Sequence, residues 1–164
     1  METPLLILLI ITLIAISTIY LIESKRNLEI EEHKIDFFNR MSKEMNMTIT
    51  YKSYWRKVYM LGIDEKNKKI LYIQFFSATP SIVFKDLNEI KEASILQDST
   101  ITTPKNNSTD HIHLILKPKS ITQLNIKIEI YDSKKFSPSE EDYLLAKEWK
   151  KRIGDLIIPS QLSR

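Results

Sequence analysis

The stretch VYMLGIDEKNKKILYIQF (Val58–Phe75) decides the reading of the fold. Val58 to Ile63 and Lys69 to Phe75 are rich in β-branched and aromatic residues, and Asp64-Glu65-Lys66-Asn67-Lys68 between them is a polar turn. Two such runs around a short polar break read as a β-hairpin. Downstream, Ile82-Val83-Phe84 follows Pro80, and Ile90 to Leu96 alternates more weakly. Gln97 to Asp110 is rich in Ser, Thr, Asn and Asp and reads as a mobile loop. Ile112, Leu114 and Leu116 form a further run. The clearest alternation comes at Leu124, Ile126, Ile128 and Ile130, separated by Asn125, Lys127 and Glu129. A period of two with one wet face predicts antiparallel sheet.

The chain then changes period again. Ser137-Pro138-Ser139-Glu140 offers an N-cap, a proline at the first helical position and an acidic third residue. Glu141 and Asp142 suit the first turn, and Lys150, Lys151 and Arg152 the last ones. Leu145, Trp149, Ile153 and Leu156 make an apolar ridge that should close over the sheet. The expected helix covers 138–157, and Pro159 follows it.

Upstream of the β region the composition is different. Residues 5–22 hold thirteen Leu or Ile and no charge. As a helix this run is about 27 Å long, close to the ~30 Å hydrocarbon core of a bilayer. Thirteen such residues favour insertion by about 4 to 8 kcal/mol. A cleaved signal peptide is the competing reading, but Met1-Glu2-Thr3-Pro4 has no basic residue and the exit, Tyr20 to Arg26, has no small-x-small site. Lys25, Arg26, Lys34, Arg40 and Lys43 lie only on the C-terminal side, so the positive-inside rule puts the N-terminus outside and the rest in the cytoplasm. On that topology the Asn-x-Ser/Thr matches at Asn46, Asn106 and Asn107 carry no meaning.

Residues 23–47 contain no Pro or Gly, and Leu28, Ile35, Phe38 and Met45 recur with helical spacing. This is an amphipathic stalk continuing the first helix as one rod, which packs on the following domain or lies at a membrane surface. Pairing through the stalk would give a homodimer. The expected organisation is an anchor over 1–22, a stalk over 23–47, a β domain with its closing helix over 48–158, and a tail over 159–164.

The element order and local text resemble a family. Leu61-Gly62-Ile63-Asp64, Lys68 to Tyr72 and Phe84 to Ile90 are similar to the first strands of pleckstrin-homology-like (PH-like) domains. Ile128 to Asp132 and Ala146-Lys147-Glu148-Trp149 are similar to their last strand and closing helix. With the helix in front, the whole resembles bacterial membrane-anchored proteins carrying a PH-like domain. The resemblance spans about residues 35–157. It implies an α+β chain: a transmembrane helix and stalk, then an antiparallel β-barrel or sandwich of about six to seven strands closed by a helix. It implies no activity and no catalytic residue.

Composition excludes several chemistries. The chain has no cysteine, so disulfides, thiolate metal sites and cysteine nucleophiles are ruled out. Two glycines, Gly62 and Gly154, are too few for a phosphate-cradling loop or a nucleophile elbow. The net charge of +3 is dispersed, unlike the dense basic stripe of a nucleic-acid binder. Glu140, Glu141 and Asp142 already serve a helix start. His111 and His113 stand two apart beside Asp110, but His33 is far away in sequence and a third ligand is missing. No enzyme activity, cofactor or metal is expected. Arg56, Lys57, Lys66, Lys68 and Lys69 flank the first hairpin and are the candidate contacts for anionic lipid or a protein partner, although Asp64 and Glu65 interrupt them. The functional expectation is a single-pass inner-membrane protein showing a cytoplasmic PH-like interaction domain to such a partner. The alternatives are a structural single-pass subunit of an envelope complex and an exported or periplasmic domain.

Overall fold

The computed structural model describes residues 3–77, 79–101 and 107–157; at 3–10, 99–101 and 107–109 it describes the backbone alone. The chain divides into two compact units, residues 1–45 and 46–164.

The first unit is one α-helix, α1 (Thr3–Glu44), through both the expected anchor and the expected stalk. Asn46 ends it with a left-handed φ of 51°, a conformation asparagine adopts readily after a helix. Among the described residues no helix is long and apolar enough to cross a membrane. The described side chains of the apolar run begin at Ile11, and Glu23, Lys25 and Arg26 follow Ile22. Residues 11–22 span only about 18 Å as a helix, against the ~30 Å required. The rest of the expected anchor falls on residues 1–10, whose side chains lie outside those described. This finding overturns the single-pass anchor. The expected integral membrane partnership and the inner-membrane location with its N-terminus outside fall with it, as does the single-pass subunit alternative.

Among the described residues the second unit holds seven strands and a helix. β1 (Tyr51–Trp55), β2 (Tyr59–Asp64), β3 (Lys69–Gln74) and β4 (Ser81–Asp86) form an antiparallel sheet in chain order. A single 3-10 turn, Leu87–Glu89, leads into β5 (Ile90–Ile101), β6 (Asn107–Pro118) and β7 (Ile126–Asp132), a second antiparallel sheet. The last element among the described residues is α2 (Glu140–Ile157). The expected hairpin over 58–75 is β2–β3, with Ile63 opposite Ile70 and Leu61 opposite Tyr72.

Three expectations change. The polar segment Gln97–Asp110 is not a loop throughout: β5 continues to Ile101 and β6 begins at Asn107, so hairpin pairing carries Ser and Thr through a sequence that reads as breaker-rich. Residues 102–106 lie outside those described. The helix starts later than Pro138; the Ser139 hydroxyl accepts from the Glu141 N–H at 3.2 Å and is the cap.

The third change concerns closure. Seven strands form two separate sheets of four and three, and no barrel closes among the described residues. At β7 the Ile130 carbonyl accepts from Trp55 Nε1 at 2.9 Å and the Glu129 carbonyl from the Tyr72 hydroxyl at 3.0 Å. Side chains of the first sheet thus satisfy carbonyls that a closing strand would need.

The core lies between the sheets. Tyr59, Leu61, Ile63, Ile70 and Tyr72 from one meet Leu114, Leu116, Ile128 and Ile130 from the other, and all are buried. Ala146, Trp149 and Ile153 of α2 are fully buried against this cluster, with Leu145 and Leu156 packed at its margin. Trp149 donates through Nε1 to the Ser53 hydroxyl at 3.0 Å, which satisfies the indole's one polar atom.

Candidate functional site

The five basic residues singled out from the sequence are not one site. Arg56 and Lys57 sit in the β1–β2 turn, both with positive φ (53° and 56°). Lys66 and Lys68 belong to the β2–β3 turn at the other end of β2, and Lys69 begins β3. Six extended residues separate the groups by about 20 Å.

Arg56 is already occupied. Its Nε and Nη2 donate to the two oxygens of Asp142 at 3.2 and 2.5 Å, and Nη2 also reaches the Ser137 carbonyl at 2.9 Å. The guanidinium lies over Phe136, 5.3 Å from the ring centroid. The hydrogen bond it donates to Asp142 raises its pKa further above the usual arginine range. Arg56 therefore ties the β1–β2 turn to the first turn of α2, through a carboxylate that the sequence placed there for the helix dipole.

The second turn is built on Asp64, which is fully buried. Its carboxylate accepts from the Thr48 N–H at 2.7 Å, the Asn67 N–H at 2.9 Å and Asn67 Nδ2 at 2.8 Å. Burial opposes its charge, but these donors and Lys69 outweigh burial and lower the pKa below the ordinary aspartate value. Lys69 reaches the Asn46 carbonyl at 3.5 Å and lies over Phe84, while Lys66 is exposed.

A polar network that sequence reading missed lies where β7 meets the first sheet. The Glu129 carboxylate accepts from the Tyr59 hydroxyl in a short hydrogen bond, from Lys135 Nζ at 2.7 Å and from Gln74 Nε2 at 3.3 Å. Burial, then the bond to Glu129, pushes the Tyr59 hydroxyl far above its ordinary value. Lys135 also reaches Asp132 at 3.2 Å. Burial works against the lysine charge, yet the two carboxylates outweigh it and raise its pKa. The links from Tyr59 and Gln74 to Glu129 span 70 and 55 residues of sequence, so no local spacing reveals them.

His111 and His113 are neighbours on β6, with ring centroids 5.8 Å apart. His111 Nδ1 is 3.5 Å from Asp132, and His113 pairs in register with Glu129. Among the described residues no three His, Asp or Glu side chains are grouped to hold a metal ion. Glu140 and Glu141 are exposed at the start of α2, apart from Asp142, which is buried.

One flank of α2 is equally engaged. Arg152 donates to Glu65 at 2.7 Å and lies 3.8 Å from the Tyr51 ring centroid, and the Tyr51 hydroxyl donates to Glu148 at 2.7 Å. The other flank is different. At 100° per residue, Tyr143, Lys147, Lys150 and Gly154 share it. Lys147 lies over the Tyr143 ring at 4.6 Å, and a Cβ built on Gly154 would meet nothing within 4 Å.

The four outermost strands also differ. β7 has carbonyls taken by Trp55 and Tyr72. β1 lies under Trp149 and Arg152 of α2. β4 is short, follows Pro80 and carries Lys85 and Asp86, features that discourage strand addition. β5 is twelve residues long, packs beside α2, and runs through Ala93-Ser94-Ile95-Leu96-Gln97 without charge or proline.

Comparison with protein-family models, with curated proteins and with solved structures gives no match. Nothing there bears on the resemblance to PH-like proteins or on a bacterial source.

Proposed function

We propose that the second unit is a non-catalytic recognition module that takes an extended segment of a partner protein along the outer edge of β5, beside the open flank of α2. The observation that carries this reading is the β5 edge itself: residues 93–97 lack the charges and prolines that guard β4. Main-chain hydrogen bonds from an added strand would supply affinity, and the adjoining helix flank would supply selectivity. Lys147 and Lys150 favour carboxylate side chains on the segment, and the space at Gly154 admits a bulky one. The polar groups elsewhere support the same reading, because Arg56, Asp64, Glu129 and Asp142 each hold one element to another.

The test is selection of displayed random peptides on the full chain. Selected peptides should be enriched in acidic residues and should lose binding to Gly154→Trp, which fills open space without touching the core. Peptides that bind Gly154→Trp as well as the parent chain would place recognition elsewhere.

A further inference from the structure

The loop between β6 and β7 has a composition and an exposure unlike the rest of the unit. Its base is fixed: the Lys119 N–H donates to the Glu89 carbonyl at 2.7 Å, and the Gln123 N–H to the Ser120 carbonyl at 3.3 Å closes a turn. From that turn Ile121 projects fully exposed and Leu124 is 90% exposed. Leu124 was expected to begin a buried strand face, but β7 starts two residues later. Large aliphatic side chains held clear of the protein on a pinned turn are unfavourable in water and need a reason.

The charges around them suggest one. Between Asp110 and Glu129 the chain has no carboxylate. Lys117 is neutralised by Glu92 at 3.0 Å, while Lys119 and Lys127 are exposed on either side of the apolar tip. An apolar tip within a cationic rim matches a surface whose outer layer is anionic and whose interior is hydrocarbon. We infer that the β6–β7 loop docks on an anionic phospholipid surface, with Ile121 and Leu124 entering the headgroup–acyl boundary and Lys119 and Lys127 meeting the phosphates. The contact is peripheral, is made by a loop and uses no spanning helix. It is independent of peptide recognition at β5.

Because the chain has no cysteine, Thr122→Cys creates a single labelling position in the full chain between the two apolar residues. An environment-sensitive fluorophore there should shift its emission to the blue with vesicles of phosphatidylcholine and phosphatidylglycerol, and stay as in water with phosphatidylcholine alone. The same fluorophore at Glu140→Cys should stay in water with both. Lys119→Ala and Lys127→Ala should each weaken the response about fivefold. Ile121→Ser with Leu124→Ser should abolish it while leaving the thermal melt unchanged, since both residues are exposed. The inference is overturned if the label at 122 stays aqueous on anionic vesicles or responds equally to neutral ones. A shift that grows with protein concentration in the absence of lipid would instead assign the tip to a second copy of the chain, and would overturn it too.

Discussion

Both oxygens of Asp142 are held by the guanidinium of Arg56, at 2.5 and 3.2 Å, across 86 residues of sequence. The pair fixes the start of α2 to the β1–β2 turn, and so positions the helix that packs beside β5. Asp142 is nearly buried, with 4% of its surface exposed. Removing Arg56 leaves a buried carboxylate without its partner, so Arg56→Ala should destabilise the unit by about 3 kcal/mol. Arg56→Lys should recover only part, because an ammonium cannot engage both oxygens in the same fork. Urea denaturation of the three chains measures the difference.

Trp149 anchors the same helix. It is fully buried and its indole N–H is satisfied by Ser53. Trp149→Ala should cost about 3–5 kcal/mol, and Ser53→Ala about 1 kcal/mol, through the orphaned indole N–H. A Trp149→Ala chain that melts with the parent would remove the packing role assigned to the helix.

Gly154 stands inside α2 with open space where a side chain would be. Gly154→Ala should therefore stabilise the unit by about 0.5–1 kcal/mol, since alanine loses less backbone freedom on entering a helix. Thermal melting reads this directly, and a fall in melting temperature would show that the flank is covered.

Two pH windows follow from the titrating groups. Burial lowers the pKa of His113 below its usual 6.5, with the nearby charges of His111 and Lys127 acting in the same direction and those of Glu129 and Asp98 against. A histidine whose folded value is depressed takes up its proton more readily when unfolded, so stability should fall as pH drops below about 6.5. His113→Phe should flatten that slope. Asp64 and Asp132 have folded values below 3.8, so the stability they contribute is intact above that value and is lost as pH falls further. Asp64→Asn should weaken the acid limb without altering the slope near pH 6. Denaturation midpoints measured from pH 3 to pH 8 resolve the two.

Much of the local structure was legible because periodicity is a local property. The turn at Asp64–Lys68, the alternation from Ile126 to Ile130 and the ridge of Trp149 and Ile153 all follow from side chains a few residues apart. The helix start was misplaced by two residues because Ser137 and Ser139 are equally good caps by residue type, and it is the Ser139 hydroxyl that accepts from the Glu141 N–H. Gln97–Ile101 reads as a loop, yet pairing with β6 overrides the low strand preference of Asp98. The candidate site was least legible. The basic residues around the first hairpin looked like one cluster because 56–69 is a short stretch of sequence, but a strand places its ends far apart. The anchor reading rested on composition over 5–22, and among the described residues no helix meets the length and apolarity it required. The Glu129 network depends on contacts between sheets, and the exposure of the β4 and β5 edges on the sheet order, neither of which any spacing encodes.

Amide hydrogen exchange on the full chain, with and without a selected peptide, tests the central claim most directly. If an extended segment adds to β5, exchange-labile amides among residues 93–97 become protected, while those of β4, at 81–86, keep their free-state rates. Protection confined to β4, or unchanged exchange along β5 when the peptide is saturating, contradicts recognition at the β5 edge.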